Sequence, residues 1–156
     1  MSGPSNRPVR FPPPLIYVGF LLLGWGLTFV VADPGVGVGW EVRRYIAFAL
    51  IIGGVLLDGA AMESFRRKGT PAEPWKEPVA LETGGVFRVS RNPIYLGFAL
   101  AYAGIAVWID SLIALALLIP CMVVIDRFVV LREERYLAAR FGAAWDAYRS
   151  KVRRWL

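Results

Sequence analysis

The sequence predicts an all-α protein held in a membrane by four helices, with a cytoplasmic loop and a C-terminal amphipathic interfacial helix attached to that bundle. Three observations predict it. Of the 156 residues 56% are apolar and only 19% charged, too greasy a balance for an ordinary soluble domain. Four apolar stretches each approach the length needed to cross a hydrocarbon core of about 30 Å. Lysines and arginines gather in particular connections, so the net charge of +6 has a topological explanation.

The first stretch, 15–31, reads LIYVGFLLLGWGLTFVV without a charge. Arg7 and Arg10 before it, with Val30 and Ala32 near its end, also fit a cleavable signal, but the apolar run is too long for a signal core. From Asp33 to Trp40 the GVGVG run departs from G-x-G-x-x-G and joins two apolar helices, so it reads as a flexible extramembrane loop and not as a dinucleotide turn. The second stretch, 45–62, is interrupted only by Asp58. The third, 94–109, and the fourth, 112–131, meet across Asp110 and Ser111, which leaves room for a tight hairpin alone. Their lengths of about 24 and 30 Å are reconciled by tilt and by a kink expected at Pro120. Because ionised groups are costly in hydrocarbon, Asp58 or Asp126 is expected to pair with Arg127. Gly97, Ala101 and Gly104 allow close helix contact, and Cys121 reads as a small packing residue.

Arg7 and Arg10 precede the first span, and Arg43 and Arg44 follow the first loop. Arg66, Arg67, Lys68, Lys76, Arg88 and Arg91 fill the second connection, the third has none, and Arg132, Arg135, Arg140, Arg149, Lys151, Arg153 and Arg154 crowd the tail. The positive-inside rule therefore places both termini and the Glu63 to Asn92 loop in the cytoplasm, which in a bacterium means the inner (plasma) membrane. Topology explains the charge, and nucleic acid is not needed. The loop is rich in Pro, Glu, Lys and Gly, so its irregular backbone belongs in water or along a cavity. In the tail, Tyr136, Leu137, Phe141, Trp145, Tyr148 and Val152 recur near helical spacing, which predicts a helix resting on the cytoplasmic leaflet, in the plainest reading a simple anchor.

The chain has no histidine and one cysteine, which excludes Ser-His-Asp and Cys-His centres, cysteine-histidine zinc sites, iron–sulfur clusters and histidine-ligated haem; no metal is expected. If the last two spans form a hairpin, Arg88, Arg91, Asn92 and Tyr95 face Arg132, Glu133 and Glu134 at the membrane surface. Such a group either binds a small zwitterionic or polyhydroxyl ligand or forms a belt of interfacial ion pairs.

GVFRVSRNPIYLG (85–97), followed by REERYLAARFGAAWDAYRSKVRRWL (132–156), resembles the isoprenylcysteine carboxyl methyltransferase and phospholipid methyltransferase superfamily of integral membrane enzymes. The match begins near Val79 and runs to the C-terminus. The resemblance implies a single membrane-embedded domain that binds S-adenosyl-L-methionine and passes its methyl group to a lipophilic acceptor from the bilayer: an isoprenylcysteine-like carboxylate, a phospholipid amine, or a small thiol or acid. It implies a cofactor region containing Leu81, Glu82, Phe87, Asn92, Pro93, Ile94, Tyr95 and Glu133, with Arg91 and Gly97 holding the turn and permitting close packing. Glu134 falls in the same region in a supporting role, and Arg127 and Arg132 stand as candidates for substrate contact. Three positions depart from the family pattern: Asn92 replaces a histidine, Phe87 a tyrosine, and Val129 the substrate-binding arginine of the isoprenylcysteine enzymes. Those departures motivate a second reading, a non-catalytic four-helix membrane protein of the same fold acting in lipid binding or as an interaction subunit. Methyl transfer from a sulfonium is an in-line displacement that needs alignment and dryness above all, so no catalytic residue is assigned. An amine acceptor would have to lose its proton to Glu133, Glu134, Asp126 or Tyr95.

Overall fold

The computed structural model describes residues 12–71 and 78–156, and among them every regular element is helical. Arg7, Arg10, Lys76 and the middle of the cytoplasmic loop lie outside the described residues. Helix α1 spans Pro14–Leu27, where a proline at the first turn spends no hydrogen bond, because that N–H has no helical partner anyway. Helix α2 covers Trp40–Arg67, α3 covers Pro93–Trp108, and α4 covers Leu112–Val124. A π-helical turn, Ile125–Val130, joins α4 to α5 (Leu131–Phe141), and α6 follows at Ala143–Arg149.

Two of these helices, Trp40–Arg67 and the continuous Leu112–Phe141, are long and apolar enough to cross a membrane; Pro14–Leu27 and Pro93–Trp108 are shorter apolar helices. The outer faces of α1 and α2 leave Leu22, Leu23, Ile52, Val55 and Leu56 more than half exposed, an apolar surface suited to lipid.

Helices α2 and α3 meet backbone to backbone. A Cβ on Gly54 would lie 2.5 Å from the Gly97 carbonyl oxygen, and one on Gly104 would lie 2.8 Å from the Ala47 carbonyl oxygen. The space a side chain on Gly97 would need is taken by the Asp58 carboxyl group. Helices α1 and α4 approach in the same way at Gly24, whose Cβ would fall 2.6 Å from the Ala114 Cα. Between these contacts sits a core of Tyr17, Tyr95, Tyr102, Ala106, Ala114, Cys121, Ile125, Val129 and Val130. Two of its three phenols are spent on backbone: Tyr17 donates to the Tyr95 carbonyl (2.9 Å) and Tyr102 to the Ala114 carbonyl (2.8 Å), so each ties one helix to another.

The hairpin between α3 and α4 is as tight as expected, with Asp110 at φ 58°. The Gly-rich loop expected to be flexible is instead tethered to it. Asp33 accepts from the Ser111 hydroxyl (2.5 Å) and from the amides of Gly35 (3.0 Å) and Leu112 (3.0 Å), while Asp110 accepts from the Val36 amide (3.0 Å) and pairs with Arg43. Ser111 in turn caps α4 by accepting from the Ala114 amide at 2.9 Å. Carboxylates find this turn because a hairpin of two residues leaves amides at the α4 start without helical partners.

The helix carries through Pro120, and its departure from α geometry is the π turn beginning at Ile125. The expected pair of Asp126 with Arg127 forms at 3.8 Å, and Asp126 is held more closely still by Arg154 (3.3 Å) and by the Trp155 indole (3.1 Å). The tail is not one interfacial helix: Gly142 at φ 48° breaks it, and Trp145 and Tyr148 are buried against Ala61 and Phe87, not against the leaflet.

Gly54→Ala is expected to cost about 1–3 kcal/mol by forcing two backbones apart, while Gly53→Ala, which meets nothing within 4 Å, leaves stability unchanged or slightly improved; thermal unfolding in detergent distinguishes them. Burial opposes ionisation of Asp33, but hydrogen bonds from Ser111, Gly35, Leu112 and Ile113 outweigh it and hold its carboxyl below the ordinary range. The Val36 amide and Arg43 do the same for Asp110. A carboxylate lowered by folding stabilises fully above its unfolded pKa of about 4 and loses that contribution as pH falls through the lower folded value. Unfolding temperatures of the wild type are therefore expected to fall more steeply below about pH 4 than those of Asp33→Asn.

Candidate functional site

At the end of the bundle opposite the Asp33 cluster, the chain leaves α2, crosses as a loop and re-enters at α3. Lys68 fastens the loop by donating to the Leu81 carbonyl (3.1 Å) and lying 3.8 Å from Glu82. The Thr70 hydroxyl accepts from the Val79 amide at 2.9 Å. Glu82 is buried and accepts from the Gly84 amide at 2.5 Å. Gly85 then takes φ 53°, a conformation that suits glycine, and starts a 3-10 turn, Gly85–Arg88, that drives Phe87 inward. Phe87 meets Phe65 edge to face at 5.1 Å, and its carbonyl accepts from the Tyr148 hydroxyl at 2.7 Å. Burial pushes the Tyr148 phenol well above its ordinary pKa, so it remains a donor.

Pro93 opens α3 at its first turn, and Asn92 precedes it without capping. The Asn92 amide instead donates to the Arg154 carbonyl at 2.9 Å. One helical turn into α3, the Tyr95 hydroxyl donates to Glu133 on α5 at 2.7 Å. Neighbouring Glu134, about 100° around the helix, takes Arg91 at 3.2 Å and Arg154 at 2.7 Å. The Arg91 guanidinium also lies 5.6 Å from the centre of the Trp145 ring, and its Nε is buried with no hydrogen-bond partner among the described residues.

These side chains enclose a cavity of about 330 Å³. Ten of the residues singled out from the sequence line it: Leu81, Glu82, Phe87, Arg91, Asn92, Pro93, Ile94, Tyr95, Glu133 and Glu134. Gly97 does not, since it serves the α2–α3 contact. Arg127 and Arg132 lie outside the lining, and the Arg127 side chain is 69% exposed. Arg88 is exposed as well. Sequence reasoning did not place Phe65, Phe98, Trp145 or Tyr148 in this wall, nor Pro12–Pro14 and Met62 at its edge. The helical spacing of Leu137, Phe141, Trp145 and Tyr148 carried a usable signal, because an apolar face needs a cover and the cover is this cavity. For Phe65, set among Glu63, Arg66 and Arg67 at the end of α2, no sequence signal existed.

Chemically, the cavity offers flat aromatic walls, two acidic groups, Glu133 bonded to the Tyr95 phenol and Glu82 near the Lys68 ammonium, and one arginine whose Nε has no partner among the described residues. Such a set suits a ligand with an aromatic part, hydroxyls or a cation, and a carboxylate.

A family model described as phospholipid methyltransferase matches residues 42–144, more than half of the chain, from the start of α2 to the start of α6. A protein of Haemophilus influenzae described as uncharacterized is 36% identical over 63 residues, which is 40% of this chain and the whole of that relative. No solved structure matches.

Tyr95→Phe is expected to cost about 1–3 kcal/mol by leaving Glu133 without its donor. Glu133→Gln, whose amide oxygen still accepts from the phenol, is expected to cost less. Paired unfolding curves of the two variants check the order.

Proposed function

The chain belongs to the phospholipid methyltransferase family, and from that premise we propose that it is a membrane-embedded, S-adenosyl-L-methionine-dependent methyltransferase acting on a lipophilic acceptor. The observation that carries this reading is the cavity in which Tyr95–Glu133 and Arg91–Glu134 converge beneath Phe65, Phe87 and Trp145.

The residues present fit the cofactor. The aromatic walls offer stacking surfaces for an adenine, and Glu133 and Glu82 can accept from ribose hydroxyls or an ammonium group. The buried, unpartnered Nε of Arg91 is a donor in need of an acceptor, which a methionine carboxylate supplies. Arg91 and Arg154 are both paired to Glu134, which leaves Glu133, bonded to the Tyr95 phenol, as the carboxyl group best placed to meet a cationic part of a ligand. The cofactor contributes a methyl group made electrophilic by its sulfonium charge. The protein's work is to align the acceptor with that carbon and to exclude water, which the apolar lining favours. The apolar edge at Pro12–Pro14, Met62 and Phe98 faces α1 and α2, whose outer surfaces are apolar, and so gives a lipid tail a continuous greasy path. An isoprenylcysteine-like carboxylate, a phospholipid amine and a small thiol or acid all fit that path. Arg127 and Arg132, outside the cavity, suit anionic head groups at the membrane surface and not the reacting atoms.

We read α1, α2, α3 and α4 as four spans, with both termini and the loop that carries Leu81 and Glu82 in the cytoplasm. Support comes from the distribution of charge: among the described residues, the basic side chains at the end of the bundle with the Asp33 cluster are Arg43 and Arg44, and Asp110 neutralises one of them.

Calorimetric titration of the detergent-solubilised protein with S-adenosylhomocysteine tests the reading. Saturable binding is expected, weakened about tenfold or more by Glu133→Ala and by Tyr95→Ala, each shown to be folded. Absence of binding to folded wild type at millimolar ligand would sink it.

A further inference from the structure

Residues 153–155 hold both halves of the cavity from behind. The Arg153 carbonyl accepts from the Arg91 amide at 3.0 Å. The Arg154 carbonyl accepts from the Ser90 hydroxyl at 3.2 Å and from the Asn92 side chain at 2.9 Å. The tail backbone thus binds the segment that leads into α3. The Arg154 guanidinium turns the other way, forking onto Glu134 with Nε at 3.1 Å and Nη2 at 2.7 Å, and reaching Asp126 with Nη1 at 3.3 Å. The Trp155 indole donates to the same Asp126 oxygen at 3.1 Å. The tail side chains thus bind the π turn and α5. None of the three residues lines the cavity.

We infer that Arg154 is a positioning residue for ligand binding in the cavity: by bridging Asp126 and Glu134 while its carbonyl holds Asn92, it sets α5 against α3 so that Glu133 meets Tyr95. The inference rests on the cofactor reading above for its ligand, but its geometry is independent of that reading. The clamp sits where the π turn meets α5. A π turn changes the rotation of the helix that follows it, and α5 is otherwise held further along, by Leu137, Ala138 and Phe141 packing against Phe87, Trp145 and Tyr148, so the arginine fixes the first turn, where Glu133 and Glu134 lie. A rotation by one residue position, about 100°, would carry Glu133 out of the cavity. Arginine suits the task because its planar fork binds Glu134 through two nitrogens and leaves a third for Asp126, which a lysine ammonium cannot reproduce.

Two measurements on the full-length protein in detergent test this. In titrations with S-adenosylhomocysteine, Arg154→Ala is expected to weaken binding about tenfold and Arg154→Lys by a smaller factor. In a Glu133→Ala background Arg154→Ala is expected to weaken it no further, because the arginine acts through that carboxylate. Wild-type affinity in folded Arg154→Ala, or independent multiplying losses, overturns the inference. The second measurement uses no ligand: a double-mutant cycle of Tyr95→Phe and Glu133→Ala on the unfolding midpoint, repeated in Arg154→Ala or, if that variant does not fold, in Arg154→Lys. Coupling present with Arg154 and reduced without it supports the clamp, and coupling unchanged overturns it. If the wild type binds no S-adenosylhomocysteine, the cofactor reading fails and this cycle alone decides the role of Arg154.

Discussion

Where α2 and α3 cross, backbone lies directly on backbone, and the rest of the molecule is arranged around that contact. In hydrocarbon no water competes for apolar faces, so helices hold together by close packing and by the few polar groups they share. Gly54, Gly97 and Gly104 bring the two helices so near that a single methyl group would strike a main-chain oxygen or the Asp58 carboxyl group. This fixes α3, and with α3 the direction in which Tyr95 presents its hydroxyl. Tyr17 and Tyr102 then fasten α1 and α4 to the same helix through its own carbonyl and through that of Ala114.

The two ends of the bundle solve the same problem by different chemistry. At the Asp33 end, two carboxylates absorb the unpaired amides of a very short hairpin and draw the Gly-rich loop over it. At the cavity end, the helix breaks into a π turn and two short helices, and fixation comes from charge-assisted hydrogen bonds: Arg91 and Arg154 on Glu134, and Arg154 with Trp155 on Asp126. Buried arginine nitrogens without a hydrogen-bond partner among the described residues stand at both ends, on Arg43 and Arg44 at the first and on Arg91 at the second. The second end differs in leaving a cavity beside its charged groups. That cavity is the physical content of the functional reading.

Much of this was legible in the sequence. Runs of apolar residues marked the four apolar helices, because length and hydropathy are local properties. The short Asp110–Ser111 link required α3 and α4 to be antiparallel neighbours, and this alone brought Tyr95 and Arg91 near Glu133 and Glu134. The sequence by itself therefore determined the helical class, the hairpin and the membership of the two motifs in one site. It did not determine rotation about the helix axes. Whether Trp145 and Tyr148 face lipid or protein, whether Asp126 turns to Arg127 or to Arg154, and whether Gly97 serves ligand or helix contact all depend on angles that uniformly apolar helices do not encode. Only the tertiary structure decided these, through the close glycine contacts, the break at Gly142 and the extra width of the π turn. A hydrophobic pattern says that a face will be covered, and packing alone says by what.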